Sequence, residues 1–67
     1  MIKSMKIVDK ANESGKVIVR AGEKVITITK SESGGLIVSD GGALIRKMSY
    51  YQALDYISDF ENCIESY

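Results

Sequence analysis

The chain divides its residue types near position 48. All five aromatics, Tyr50, Tyr51, Tyr56, Phe60 and Tyr67, fall in the last eighteen residues. That stretch also holds four acids (Asp55, Asp59, Glu61, Glu65) and no Lys or Arg. The first 48 residues hold all nine Lys and Arg, five acids, and runs of aliphatic and β-branched residues. A net charge of zero therefore separates into +4 (nine minus five) and −4 (zero minus four). A basic, β-branched segment followed by an acidic, aromatic one predicts a sheet and then a helix.

In the first segment the apolar period is two. Residues 1–10 (MIKSMKIVDK) read as a strand with Met5 and Ile7 on one face, although Ile2 and Val8 fall on the other. Residues 11–15 (ANESG) read as the turn after it, since Asn and Ser can bond their own backbone there. Residues 16–21 alternate strictly, Val17, Val19 and Ala21 against Lys16, Ile18 and Arg20. Residues 24–30 (KVITITK) carry five β-branched residues in succession, the strongest strand signal in the chain. Gly22-Glu23 between them is a two-residue hairpin connection. Short strands over 36–39 and 43–47 flank Asp40-Gly41, a dipeptide that favours a type I′ turn with positive φ at both residues. Ile18, Val25, Thr27, Thr29 and Ile37 are expected to share the second sheet face.

After residue 48 the period becomes about 3.6. Ser49 has N-cap chemistry, and Gln52 stands at the capping-box spacing from it. Tyr50, Ala53, Leu54, Ile57, Phe60 and Ile64 recur at helical intervals, predicting one amphipathic helix over 49–65. The expected fold class is α+β, a single domain over 1–67. It is an antiparallel sheet of four or five strands (1–47) followed by one C-terminal helix. The apolar arc of that helix, from Cys63 through Phe60, Ile64 and Ile57 to Leu54, is wider than one sheet contact requires. A core built from so few residues is marginal alone. Both points predict a homo-oligomer, a dimer or larger, with Phe60, Ile64 and Tyr67 at the contact. Glu61 projects inside the same arc, where a carboxylate needs a partner. A basic residue of the sheet half is expected to supply it, with Arg46 or Lys47 the nearest in sequence, or else a basic residue of another subunit.

Several chemistries lack their residues. With one Cys and no His, neither an intrachain disulfide nor a Cys/His zinc site can form. A Ser or Cys nucleophile has no His base. Cys63, among acids near a helix end, is expected to be a poor nucleophile. Gly34-Gly35 and Gly41-Gly42 lack the Walker spacing. No cofactor is implied. No apolar run of about 20 residues spans a membrane, no signal peptide is visible, and a single Cys suits the reducing cytoplasm. Asp9, Glu13, Glu23 and Asp40 stand at expected strand ends or turns, where carboxylates can gather around a divalent cation, but no spacing identifies such a site.

The basic segment offers phosphate contacts. Lys16, Arg20 and Lys24, on adjacent strands, are the leading candidates for a nucleic-acid site. Tyr51, with Asp55 and Asp59 on the polar side of the helix, is the candidate protein contact, Tyr being enriched at interface hot spots.

The order of strands and then an amphipathic helix resembles the single-strand-DNA-binding domain of the transcriptional positive-cofactor family and its Whirly relatives. The likeness lies in SGKVIV (residues 14–19) and ALIRKMSYYQALDYISDFE (residues 43–61), and runs over about residues 5–64. The resemblance implies helices paired in a dimer and sheets that present basic strands to nucleic acid. This chain has no aromatic in its strands. Small proteins of this composition also resemble phage or prophage accessory proteins, anti-CRISPR proteins among them.

Three functions follow as expectations. The first is a homo-oligomeric module that binds nucleic acid or a nucleic-acid-processing protein, as a mobile-element inhibitor of host defence would. The second is a pure protein-interaction module using the acidic, Tyr-bearing helix. The third, the one enzymatic reading, is a minimal metal-dependent nuclease that nicks DNA with the loop carboxylates.

Overall fold

The computed structural model describes residues 2–41 and 44–67. Its first element corrects the sequence reading. Where a strand is expected over 1–10, the described residues 2–10 are helical: an α-helix, α1, runs over Ile2–Ser14. Ser4, Ile7, Val8 and Ala11 are its buried residues, a helical i, i+3, i+4, i+7 series. Val8 beside Ile7, which spoiled the strand alternation, fits a helix. Residues 11–14 are the last turn of α1, and Gly15 ends it. With φ +92° and its N–H on the Ala11 carbonyl at 2.9 Å, Gly15 makes the αL cap that a side chain would strain.

Four strands follow as a meander: β1 (Lys16–Ala21), β2 (Lys24–Lys30), β3 (Leu36–Asp40) and β4 (Leu44–Met48). Gly22, φ +63°, takes the first central position of the β1–β2 turn. Glu23 has no positive φ, the pattern of the II′ class. Asp40 is not a turn residue: it closes β3 opposite Leu44 and has no positive φ. Asp40 is thus not a central residue of the expected type I′ turn at Asp40-Gly41, and Gly42 and Ala43 lie outside the described residues. The expected strand start at Ala43 lies there too.

Helix α2 starts as expected and stops early. The Ser49 hydroxyl accepts the Gln52 N–H at 3.2 Å, and the Gln52 side chain accepts the Ser49 N–H at 2.9 Å, a complete capping box. The helix spans Tyr50–Ser58, not 49–65. Extended to 65 it would carry Glu61 and Glu65 in a last turn with no cation, opposing the macrodipole. The Ser58 hydroxyl instead bonds the Leu54 carbonyl. The Phe60 N–H turns back onto Ile57, and a 3-10 turn over Glu61–Cys63 leads into a fifth strand, β5 (Ile64–Ser66). β5 pairs antiparallel with β1, so the sheet order is β4-β3-β2-β1-β5.

The architecture is α+β, a five-stranded antiparallel sheet with two helices, one of them before the sheet. Alternation along the strands sends Val17, Val19 and Ala21, Ile26 and Ile28, Leu36 and Val38, and Met48 to one face. Both helices cover that face, α1 over β1 and β2, α2 against β3 and β4. Ile7, Val8, Ala53 and Ile57 close the core from the helix side, and Ile64 joins it at the β5 edge. The opposite face is bare.

Candidate functional site

Strand register fixes the composition of the bare face, because directly paired residues point the same way. One row runs Lys16, Thr29, Ile37, Lys47. The next runs Ile18, Thr27, Ser39, Ile45. A third holds Ser66, Arg20 and Val25. Ile18, Val25, Thr27, Thr29 and Ile37 share this face, as the alternation predicts. Ile45 is 70% exposed and Ile18 53% exposed, so the middle row ends on open aliphatic side chains with Thr27 and Ser39 between them. The charges are Lys16, Arg20 and Lys47. No acid is among the residues paired in the three rows, and Glu65, exposed between Ile64 and Ser66, stands at the bulge where β5 meets Arg20 and Ala21. At ~4.8 Å per strand, Lys16 and Lys47 stand roughly 14 Å apart, and Lys16 and Arg20, four residues apart on one strand, about 13 Å. Such spacing suits an extended polyanion better than a lone phosphate.

The structure brings Lys16 and Arg20 to one face but sends Lys24 to the other. A two-residue turn pairs Ala21 with Lys24, so Lys24 shares the side of Ala21, the helix side. There its ammonium meets Asp40 Oδ2 at 3.2 Å and lies 5.0 Å from the Phe60 ring centre. The Tyr56 hydroxyl donates to the same carboxylate oxygen at 3.4 Å. Burial, followed by the Asp40 charge, pushes the Tyr56 phenol above its ordinary value. Lys24 is thus engaged in a local ion pair. Lys47, which sequence reasoning did not select, joins Lys16 and Arg20 in the rows of this face, with its ammonium donating to Ser33 Oγ at 2.7 Å. The signal was available: the same alternation that grouped Lys16 with Ile18 groups Lys47 with Ile45.

The residues expected at an oligomer contact scatter. Ile64 is buried in β5, within the chain's own core. Phe60 is half-buried and packs edge-on against Tyr56, with ring centres 5.3 Å apart. Tyr67 stays exposed, with the Lys10 ammonium 5.9 Å from its ring centre. Ile57 and Ile64, central to the apolar arc, are both consumed internally.

Tyr51, Asp55 and Asp59 remain together on the outer side of α2, all exposed, Tyr51 at 77%. Asp55 and Asp59 also line a cleft of about 260 Å³ between α2 and β4, with Arg46, Lys47, Met48, Gln52 and Tyr56. The four loop carboxylates do not converge. Asp9 lies on α1 and accepts the Tyr50 hydroxyl at 2.8 Å, which raises the Tyr50 phenol. Glu13 is on α1, Glu23 in the first turn, and Asp40 pairs with Lys24. Among the described residues no three His, Cys, Asp or Glu side chains gather as a metal site would require. Glu61 does not reach the Arg46–Lys47 strand, which is the far edge of the sheet. It accepts hydrogen bonds from the hydroxyl and the N–H of Ser4, on α1.

No protein-family model, curated protein or solved structure matches this chain. No helix among the described residues is long and apolar enough to cross a membrane.

Proposed function

We propose that this chain is a small binding module that engages nucleic acid through its bare sheet face. One observation carries the reading: that face holds three cations, Lys16, Arg20 and Lys47, with no acid in its rows, while both helices occupy the other side. A flat surface with spaced cations neutralises phosphates without reading bases, so binding would be sequence-tolerant. Thr27, Thr29 and Ser39, between the cations, supply hydroxyls to phosphate and sugar oxygens. The exposed apolar side chains of the face are aliphatic, so bases would pack on Ile18, Ile37 and Ile45 instead of stacking on aromatic rings. A mobile-element inhibitor of a nucleic-acid enzyme would use the face to cover the enzyme's substrate.

The test is a titration of labelled single-stranded DNA at two salt concentrations. Each cation in contact contributes about 0.7 to the slope of log K against log[salt] on single strands, so three contribute roughly 2. Between 50 and 200 mM salt this is about a twentyfold loss of affinity. The variant Lys16→Gln, Arg20→Gln, Lys47→Gln should lose that dependence, and Lys24→Gln should keep it. Equal slopes in the parent and the triple variant would remove the sheet face from consideration.

A further inference from the structure

The two edges of the sheet are unlike. β5 is three residues long, its register shifts against β1 at Arg20/Ala21, and Tyr67 follows it with the Lys10 ammonium over the ring. Short, irregular edges of this kind resist further pairing. β4 is five residues long and pairs with β3 in unbroken register along one side only. Its other side presents alternate backbone N–H and C=O groups to whatever lies beside it. Three β4 residues, Arg46, Lys47 and Met48, line the cleft against α2.

We propose that the β4 edge and this cleft form a docking site for an extended peptide segment of a partner protein, which adds as a sixth strand. The mode is β-augmentation: main-chain hydrogen bonds hold the segment, and alternate side chains select it. Charge defines the segment. The helix wall of the cleft carries Asp55 and Asp59, one turn apart, and no cation. The strand wall carries Arg46 toward the cleft and Lys47 toward the bare face, with Ile45 beside Lys47 on that face. A segment that matches both walls has Lys or Arg pointing inward to reach the α2 carboxylates, at an inward position beside Arg46 and not directly opposite it. Outward it has an apolar residue opposite Ile45 and an acid opposite Lys47. A second copy of β4 is a poor occupant, because antiparallel pairing would bring the two Arg46–Lys47 pairs together.

The site shares Lys47 with the proposed nucleic-acid face, so its test leaves Lys16, Arg20 and Lys47 intact. A displayed library of short random peptides is selected against the intact protein, and the enriched peptides are synthesised and titrated. The expected result is enrichment of segments with a Lys or Arg at one inward position and an acid at an outward one. Affinity should fall about tenfold or more in Asp55→Asn, Asp59→Asn, the loss of charge-assisted bonds. Bound peptide should slow hydrogen exchange at the β4 amides. The proposal is overturned if no peptide is enriched. It is overturned equally if the Asn variant, shown folded by circular dichroism, binds as well as the parent, or if protection appears away from β4.

Discussion

The replacement Ser4→Ala probes the joint between the two ends of the fold. Ser4 is fully buried in the first turn of α1. Its hydroxyl donates to Glu61 Oε2, and its N–H donates to the same oxygen at 3.3 Å. First-turn N–H groups have no partner within their own helix, and the positive end of the helix favours an anion. Glu61 therefore caps α1 from 57 residues away. Alanine fits the Ser4 space and keeps the N–H bond but removes the hydroxyl donor. A hydrogen bond to a charged group contributes about 1.5–3 kcal/mol. Glu61 is half-buried, so water can replace part of the loss, which places the cost at the low end, about 1.5 kcal/mol. The better helix propensity of Ala returns about 0.5 kcal/mol. The net is about 1 kcal/mol, or a fall in Tm of roughly 4–8 °C for a domain of this size. Thermal and urea melts followed by circular dichroism measure it. The cycle with Glu61→Gln should show a coupling of at least ~0.5 kcal/mol. A Ser4→Ala variant as stable as the parent, with additive behaviour toward Glu61→Gln, would refute the docking of α1 against the Glu61 turn.

Other expectations follow from the same contacts. Phe60→Ala should lower stability by about 2 kcal/mol, near half the loss at a fully buried Phe. It should leave the mass seen by light scattering unchanged, because Phe60 packs on Tyr56 and beneath Lys24 within the chain. A change in association state would return Phe60 to an interface. The raised phenol of Tyr50, bonded to Asp9, has a folded pKa above its unfolded value of 10.0. Its stabilisation is therefore complete below pH ~10 and lost as pH rises through the folded value. Urea midpoints between pH 9 and 11 should fall more steeply for the parent than for Tyr50→Phe, and parallel curves would discount the bond.

The meander was legible because each strand alternates and each connection carries residues suited to it. The start of α2 was legible in Ser49 and Gln52, whose side chains reach only local backbone. Its end was not. Phe60 and Ile64 continue the helical spacing, but Ile64 is buried by pairing with β1, a contact no local pattern announces. The absence of a cation near residues 58–65 was the available warning. α1 was misread because Ser4 occupies a core position in its apolar stripe. The residue that makes a buried serine acceptable there is Glu61, at the other end of the sequence. The candidate face was half legible: Lys16 and Arg20 followed from alternation. Lys24 lies on the other side, because a two-residue turn makes its flanking residues share a side and Lys24 is paired with Ala21.

The order β4-β3-β2-β1-β5 also bears on how the chain assembles and how it fails. Four strands join sequence neighbours through short connections, so their pairing requires little loop-closure entropy. β5 is different. It must bring residue 64 back to residue 21 after α2 has crossed the sheet, and only three residues hold it there. Contacts that are long-range and few open first in the native ensemble. β5 pairs only with the Arg20–Ala21 end of β1, and when it lifts away the edge is open along the whole of Lys16–Ala21. An uncovered aliphatic strand of that length is a template for pairing with another chain. The short last strand is therefore a guard, and its detachment is the first step toward strand exchange or aggregation.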